Sequence, residues 1–125
     1  MRFKYHKNPH RVEKPWGYEL WWGNTEHYLG KLLFIKQGHQ SSVHYHEHKH
    51  ESMYVHEGIM KLEVYEVRED GAAHRVSTFT VGPGESVDIP AGVIHSIVAS
   101  ADLDLFESST PHPEDSVRVQ DRYNR

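Results

Sequence analysis

Histidine is concentrated in one short part of this 125-residue chain. Twelve histidines occur in all, and six of them lie between positions 39 and 56. His44 and His46 are two residues apart, so in a β-strand their side chains project from the same face. Two imidazoles on one face can bind a transition metal, although an isolated pair is more typical of a polar strand that faces solvent. Further candidate ligands in register with this pair would favour the metal site.

A carboxylate on a core-like face follows the two histidines. Glu51 comes after four polar residues that can form a turn, and on its own predicted strand it shares a face with Met53 and Val55. That face is expected to be buried, where an unpaired carboxylate costs several kcal/mol. A divalent cation bound to the carboxylate would remove this penalty.

A second segment supplies a fourth candidate ligand. Glycines bound the first segment at positions 38 and 58, and the second begins at Gly84 and leads through a Pro-Ala-Gly turn to His95. Three imidazole nitrogens and one carboxylate oxygen suit Zn²⁺, Mn²⁺, Fe²⁺, Co²⁺ or Ni²⁺ without distinguishing among them. Such a set leaves coordination positions open for water or substrate, as Lewis-acid catalysis requires. The predicted metal ligands are His44, His46, Glu51 and His95.

These ligands must be positioned by β-strands. The chain consists of short β-favouring runs separated by Gly, Pro and Asp-Gly turn signals, and it has no convincing helical period. Nine short strands predict an all-β sandwich or barrel, in which closure protects the sheet edges. The predicted strands are Tyr18 to Trp22, Leu29 to Lys36, Ser42 to His46, Glu51 to His56, Met60 to Val67, Arg75 to Val81, Ser86 to Ile89, His95 to Ser100 and Leu103 to Ser108.

Composition excludes several classes of site and partner. The chain has no cysteine, so disulfides, thiolate metal ligands and cysteine nucleophiles are excluded. A formal charge of −4, with no concentrated basic stripe, argues against sequence-independent nucleic-acid binding. No run of 18 apolar residues predicts a membrane span, and the N-terminus lacks the apolar core of a signal peptide. We therefore expect one cytoplasmic domain.

The two ends of the chain differ in composition from its centre. Residues 1–13 are basic and polar and are predicted to form an N-terminal arm, and residues 14–125 form the barrel with a C-terminal edge segment. From Pro111 onward the chain is charged enough to be a disordered tail. However, Val117 and Val119 alternate with Arg118 as in an edge strand, so both interpretations remain open.

The two histidine-bearing segments resemble the paired signature motifs of the cupin superfamily. The resemblance implies a double-stranded β-helix, a jelly-roll-like barrel with a metal inside. His44, His46, Glu51 and His95 correspond to the ligand positions of that superfamily. The second motif differs at Ala99, where the family often has an asparagine that is not a ligand.

Residues outside these motifs resemble the cupin domain of type II mannose-6-phosphate isomerases. Lys14-Pro15-Trp16-Gly17 precedes the first predicted strand, and the chain closes with Asp121-Arg122-Tyr123-Asn124-Arg125, where that family has Asp-x-Tyr-Gly-Arg. The first ligand position, here His44, is often glutamine in that family. The nucleotide-binding pyrophosphorylase domain that often accompanies the barrel is absent from this sequence.

This resemblance implies a metal-dependent isomerase that interconverts an aldose phosphate and a ketose phosphate. The alternatives are a metal-dependent oxygenase or other small-molecule cupin enzyme, and a non-catalytic sugar-binding module. A phosphate-bearing substrate needs cationic donors, and Arg118, Arg122 and Arg125 are the candidates. The sequence does not identify the general base. Polar residues near predicted strand ends are Lys36, Tyr54, His56 and Glu107, and each is expected to be structural or exposed.

The residues outside the predicted site are expected to have structural or surface roles. The apolar Val43 and Tyr45 face away from the predicted ligands, which predicts a homodimer that covers that side. Trp16, Trp21 and Trp22 are expected in the core or an interface rather than in a sugar-stacking platform. The histidines predicted to lie at the surface are His6, His10, His27, His48, His50, His74 and His112.

Overall fold

Eleven β-strands make up the regular structure of the described residues, and no helix is present among them. The computed structural model describes residues 2–112 and 115–120. The strands are β1 (His10–Lys14), β2 (Gly17–Asn24), β3 (Leu29–Ile35), β4 (Val43–His46), β5 (Glu51–Glu57), β6 (Met60–Val67), β7 (Ala73–Val81), β8 (Ser86–Ile89), β9 (Ile94–Ala99), β10 (Leu103–Ser109) and β11 (Ser116–Gln120).

The strands form two antiparallel sheets. The larger sheet has the order β1-β2-β3-β10-β5-β8, and the smaller one has the order β11-β4-β9-β6-β7. Because several neighbours in each sheet are distant in the sequence, residues far apart in the chain reach the same interior. The all-β architecture predicted from the sequence is therefore confirmed.

The nine predicted strands all occur, with bounds that differ from the predicted ones by at most two residues. Two further strands lie outside that set. Strand β1 begins within the region assigned to the N-terminal arm and pairs with β2 from His10 to Lys14. Strand β11 confirms the edge-strand interpretation of residues 116–120, because Val117 pairs with Tyr45 and Arg118 pairs with His44.

The hydrophobic core lies between the two sheets. Strands of both sheets alternate buried and exposed side chains, as strands with one face on a core should. Met53 and Val55 are 2% and 0% exposed, which confirms that the face they share with Glu51 points inward. The other members of the core cluster are Trp16, Leu33, Ile35, Met60, Leu62, Val81, Ile89, Ile97, Ala99, Leu103 and Leu105.

Two glycines occupy turn positions where a side chain would be unfavourable, for different reasons. Gly71 has φ +78° in the Asp70-Gly71 turn that joins β6 to β7, a conformation that glycine adopts without steric cost. Gly58 has φ +90°, and a Cβ atom there would collide with the backbone oxygen of Asp102. Gly58 therefore allows the loop after β5 to pass close to the chain that leads into β10.

The structure bears on the predicted homodimer contact of Val43 and Tyr45 and on the search for a membrane span. Val43 is fully buried within a single chain, so its apolar character is satisfied without a second copy. Tyr45 is only half-buried, and the homodimer stays a prediction. The described residues contain no helix of the length and hydrophobicity needed to cross a membrane.

Candidate metal centre and its cavity

Three imidazoles converge on the inner side of the smaller sheet. His44 and His46 belong to β4, and His95 belongs to β9, where it is the direct cross-strand partner of His44. One ring nitrogen of each histidine can be chosen so that all three lie within 4.8 Å of one another. Cross-strand pairing thus joins the two segments that the sequence analysis selected.

Glu51 approaches the same point from the larger sheet. Its Oε1 atom lies 3.3 Å from Nε2 of His95, and its Oε2 atom lies 3.7 Å from Nε2 of His46. The opposite parity of Glu51 is accommodated because the chain turns between β4 and β5 and enters the other sheet. The structure therefore brings all four predicted ligands together.

Hydrogen bonds fix the same tautomer in each of the three rings. The Nδ1 atoms of His44 and His95 donate to the backbone oxygens of Ser42 and Val93, at 2.8 and 2.9 Å. Nδ1 of His46 donates to Oδ1 of Asp115 at 3.0 Å. Since Nδ1 carries the proton in each ring, Nε2 is left with its lone pair, which is the form that binds a metal.

Buried atoms without hydrogen bonds mark the place of the missing partner. Among the described residues, both carboxylate oxygens of Glu51 and Nε2 of His95 are buried and make no hydrogen bond, although Oε2 of Glu51 forms an ion pair with Nζ of Lys49 at 3.0 Å. A charged carboxylate and an unprotonated Nε2 are both acceptors, so their 3.3 Å approach is repulsive unless a proton or cation lies between them. The donor set therefore fits a divalent transition metal.

Electrostatics keeps the donors in their metal-binding forms. Burial, together with nearby His95, lowers the pKa of His44 to about 3, and burial also lowers the pKa of His46. Burial alone would raise the pKa of Glu51, but a proton shared with Nε2 of His95 and the charge of nearby Lys49 hold it well below its usual range. His44 and His46 as neutral imidazoles, and Glu51 as an ionised carboxylate, need lose no proton before a cation binds.

A cavity of about 480 Å³ opens beside the candidate metal centre. It extends between the β1 and β2 edge of the larger sheet and the β11 and β4 edge of the smaller sheet. Two buried lysines belong to its wall: Lys31 pairs with Glu19 at 3.3 Å, and Lys49 pairs with Glu107 at 3.0 Å. The volume is in the range of small-molecule sites, which spans about 300–1,000 Å³.

Lys49 joins the candidate metal centre to Glu107. Its Nζ atom lies 3.0 Å from Oε2 of Glu51 and 3.0 Å from Oε2 of Glu107. Burial and the charge of Glu51 raise the pKa of Glu107 to about 7, although Lys49 opposes this rise. The pKa of Lys49 is raised, because the attraction of Glu107 and Glu51 exceeds the opposing effect of burial. Glu107 can therefore accept or release a proton near neutral pH.

The other predicted site residues have different positions. Arg118 lines the cavity with an exposed side chain, whereas Arg122 and Arg125 lie outside the described residues. Glu107 is buried in the cavity wall, so of the four polar residues near strand ends it is the one that meets the site. Lys36, Tyr54 and His56 are exposed and are not part of this wall.

The remaining histidines and tryptophans lie at the surface, in the core or beside the cavity. The histidines predicted at the surface are exposed, apart from the half-buried His74 and His112. His10 is exposed but also borders the cavity. Trp16 is in the core, Trp22 is 45% exposed, and Trp21 faces the cavity, where a purely structural role was expected.

Asp115 is a residue of the candidate site that the sequence analysis missed. Besides accepting the hydrogen bond from His46, its Oδ2 atom accepts hydrogen bonds from the backbone N–H groups of His48 and Lys49, each at 2.8 Å. These bonds hold the pKa of Asp115 below its usual value even though burial opposes this. The residue lies in the charged segment after Pro111, where no local pattern distinguishes it from a surface aspartate.

Replacing Asp115 by alanine is expected to weaken metal binding about 10- to 100-fold, as for other outer partners of metal-bound histidines. The change removes the acceptor that fixes the His46 tautomer, together with the acceptor of two backbone hydrogen bonds in the turn before β5, but it replaces none of the four predicted ligands. Isothermal titration of the metal-free protein with Zn²⁺ measures the effect. Asp88→Ala is the matched control, because Asp88 is exposed on β8. Equal affinities for the wild type and Asp115→Ala would show that the hydrogen bond has no influence on the site.

Comparison with known proteins identifies the family. A protein-family model described as Cupin matches residues 21–117, which is more than half of the chain. The chain therefore belongs to the cupin family. The matched region includes both segments that contain the candidate ligands. Comparison with curated proteins gave no significant match.

Solved structures share this fold at low sequence identity. KdgF from Halomonas sp. is 19% identical with a TM-score of 0.65, and the alignment covers 85% of this chain and 89% of that one. An RmlC-like cupin from Shewanella frigidimarina NCIMB 400 is 22% identical with a TM-score of 0.68, over 92% and 95% of the two chains. Oxalate decarboxylase from Bacillus subtilis, in a variant form, is 22% identical with a TM-score of 0.66. The alignment covers 82% of this chain and 27% of the decarboxylase.

Proposed function

We propose that this protein is a metal-dependent cupin enzyme that isomerises a small sugar phosphate, of the mannose-6-phosphate isomerase type. The observation that carries the proposal is the position of Glu107, a buried carboxylate with a raised pKa, in the wall of a cavity that is also lined by His44, His46 and Glu51 of the candidate metal centre. Aldose and ketose phosphates interconvert by moving one proton between neighbouring carbons, which requires a base of this kind.

Glu107 has the properties needed for the proton transfer. As a carboxylate it takes the proton from C2 of the aldose, and as a carboxylic acid it returns this proton to C1 of the ketose. The hydroxyl proton passes from O2 to O1, so the reaction is balanced without an oxidant or reductant. A divalent cation held by His44, His46, Glu51 and His95 would polarise the two substrate oxygens and stabilise the charge that develops on them. Lys49 donates a hydrogen bond to Oε2 of Glu107 at 3.0 Å and so holds this carboxylate in place.

The charges around the cavity favour an anionic substrate. The described residues that line it include four cationic and three carboxylate side chains, before any metal is added. Lys14 of β1 and Arg118 of β11 belong to strands at the sheet edges, which are more accessible than the central strands. We place the phosphate group of the substrate between these two strands, where Arg118 was predicted to bind it.

Conversion of mannose 6-phosphate to fructose 6-phosphate tests the proposal. The protein is stripped of metal, reloaded separately with Zn²⁺, Mn²⁺, Co²⁺ or Fe²⁺, and assayed for fructose 6-phosphate. Mn²⁺ is included because a structural neighbour, oxalate decarboxylase from Bacillus subtilis, is described as having Mn(II) centres. Isomerisation with at least one cation supports the proposal.

Two results would favour the rival functions instead. Consumption of O₂ with Fe²⁺ alone, without isomerisation, would identify a metal-dependent oxygenase. Binding of the sugar phosphate without any turnover would identify a non-catalytic sugar-binding module. The metal content of each sample must be measured first, so that an inactive sample is known to contain the cation.

A further inference from the structure

A row of polar side chains crosses the inner face of the larger sheet beside the candidate metal centre. Trp21 of β2 is the cross-strand partner of Lys31 of β3, and Lys31 is the partner of Glu107 of β10. Glu19 lies two residues before Trp21, on the same face of β2. All four border the cavity, and together they are called the polar row below.

The members of the polar row hold one another in place. Oε1 of Glu19 accepts a hydrogen bond from Nε1 of Trp21 at 2.9 Å and another from Nζ of Lys31 at 3.3 Å. The same Nζ atom lies 4.4 Å from the centre of the Trp21 ring, in cation–π contact. Glu107, at the other end, accepts a hydrogen bond from Lys49. The row is thus ordered before any ligand enters.

Stability does not explain why these charges are buried. Lys31, Glu19 and Glu107 are 5%, 9% and 4% exposed. Taking an ion pair out of water costs several kcal/mol, and apolar side chains of similar volume are often at least as stable in the same place. Charged groups retained in a cavity wall, where apolar ones would suffice for folding, indicate a role in ligand binding.

From this geometry we infer that the polar row is a hydroxyl-binding subsite for the carbon chain of a polyol phosphate, and that Lys31 is its main donor. The inference rests on the proposed function and names the part of the substrate that the inner cavity recognises. An ammonium group has three N–H donors, so Lys31 retains donor capacity beyond its bond to Glu19. The Trp21 ring offers an apolar face to the C–H groups of a sugar.

The charge of the row favours hydroxyl groups over a second phosphate. Lys31 pairs with Glu19, and Lys49 pairs with Glu107. Because each pair has no net charge, neither one attracts a second phosphate strongly. Alternating donors and acceptors match a hydroxyl group, which both donates and accepts. Because Lys49 also contacts Glu51, the row begins next to the candidate metal centre. One sugar can therefore contact the centre and the row together.

Calorimetric titration with two phosphate esters tests the subsite. Mannitol 6-phosphate has a chain of hydroxyl groups, whereas ethyl phosphate has none. In the metal-loaded protein, Lys31→Met is expected to weaken the binding of mannitol 6-phosphate by about tenfold or more, the usual effect of losing a hydrogen bond to a charged group. Its affinity for ethyl phosphate should stay near that of the wild type. Lys61→Met is the matched control, because Lys61 is exposed on β6.

The folding of the variants must be separated from their binding. Lys31→Met leaves the buried Glu19 carboxylate without its cationic partner, although the Trp21 N–H still donates to it. The double variant Glu19→Gln/Lys31→Met, which removes both charges, is therefore measured as well. Circular dichroism and the thermal midpoint show whether each variant is folded. If Lys31→Met does not fold, the double variant takes its place and the same loss of mannitol 6-phosphate affinity is expected.

Three results would overturn the inference: no binding of mannitol 6-phosphate by the wild type, equal binding by the wild type and the folded variant, or equal losses for both esters. The proposed function fails separately. If the protein binds mannitol 6-phosphate through Lys31 but does not isomerise mannose 6-phosphate, the proposed subsite stands and the isomerase proposal is wrong. If the protein is an active isomerase but its affinity for mannitol 6-phosphate does not depend on Lys31, the proposed function stands and the proposed subsite is wrong.

Discussion

Replacing Glu51 by alanine is expected to remove most of the bound metal. The side chain provides the only carboxylate within 4 Å of Nε2 of His46 or His95 among the described residues. Its loss leaves a cation with imidazole ligands alone in a buried place, where charge must be balanced. We expect affinity to fall by more than the roughly 10- to 100-fold effect of removing an outer partner. Elemental analysis after dialysis, followed by zinc titration, measures this.

The neighbouring histidines provide the controls for this experiment. His46→Ala should also remove the metal, because His46 is a predicted ligand. His48→Ala should not, because the His48 side chain is 69% exposed. Since Glu51 and His46 are buried, circular dichroism must show that the variants are folded before their metal content is compared. Equal metal loss in His48→Ala would contradict the assignment of ligands by strand face.

Replacing Glu107 by glutamine is expected to reduce isomerase activity by about 100- to 10,000-fold while the metal remains bound. The amide keeps the size of the side chain and a hydrogen-bond acceptor for Lys49, but it cannot take a proton from carbon. Metal content should stay at the wild-type level because Glu107 is not a predicted ligand. Steady-state kinetics with mannose 6-phosphate, together with elemental analysis, measures both quantities.

The pH dependence of the same reaction provides an independent check. A general base must be ionised in the free enzyme, and the pKa of Glu107 is raised to about 7. A cation bound to Glu51 would reduce the charge that helps to raise this pKa, so kcat/KM of the metal-loaded wild type should rise with pH at or below about 7, and Glu107→Gln should lose this step. Glu57→Gln, at an exposed position on β5, should keep both the rate and the profile. Full activity in Glu107→Gln would require a different base.

The strands and the four candidate ligands could be predicted because local patterns determine them. Alternation of side chains fixes which residues share a face, and turn residues fix where strands end. His44, His46 and Glu51 lie within eight residues of sequence, so their relation depends on one strand and one turn. The position of His95 followed from a second motif of the same kind.

The rest of the site depends on pairing between distant strands. Trp21, Lys31 and Glu107 come together because β10 lies beside β3 and β3 lies beside β2, an order that no single segment encodes. Nothing in the sequence around Lys31 indicates that its side chain is buried. The burial becomes evident only when β2 and β10 are placed on either side of β3. Strand β1 was missed because its alternating residues are mostly charged.

The attachment of β11 has a consequence for how the metal centre and the fold support each other. Asp115 lies just before β11, and its carboxylate joins this late segment to His46 and to the turn after β4. A cation that favours the ordered His46 ring therefore also favours the docked strand, and by thermodynamic reciprocity a docked strand favours the cation. Limited proteolysis of β11 with and without the metal would measure this coupling. Metal binding would then stabilise the docked form of β11, so the fraction of molecules with this strand in place would depend on the metal concentration.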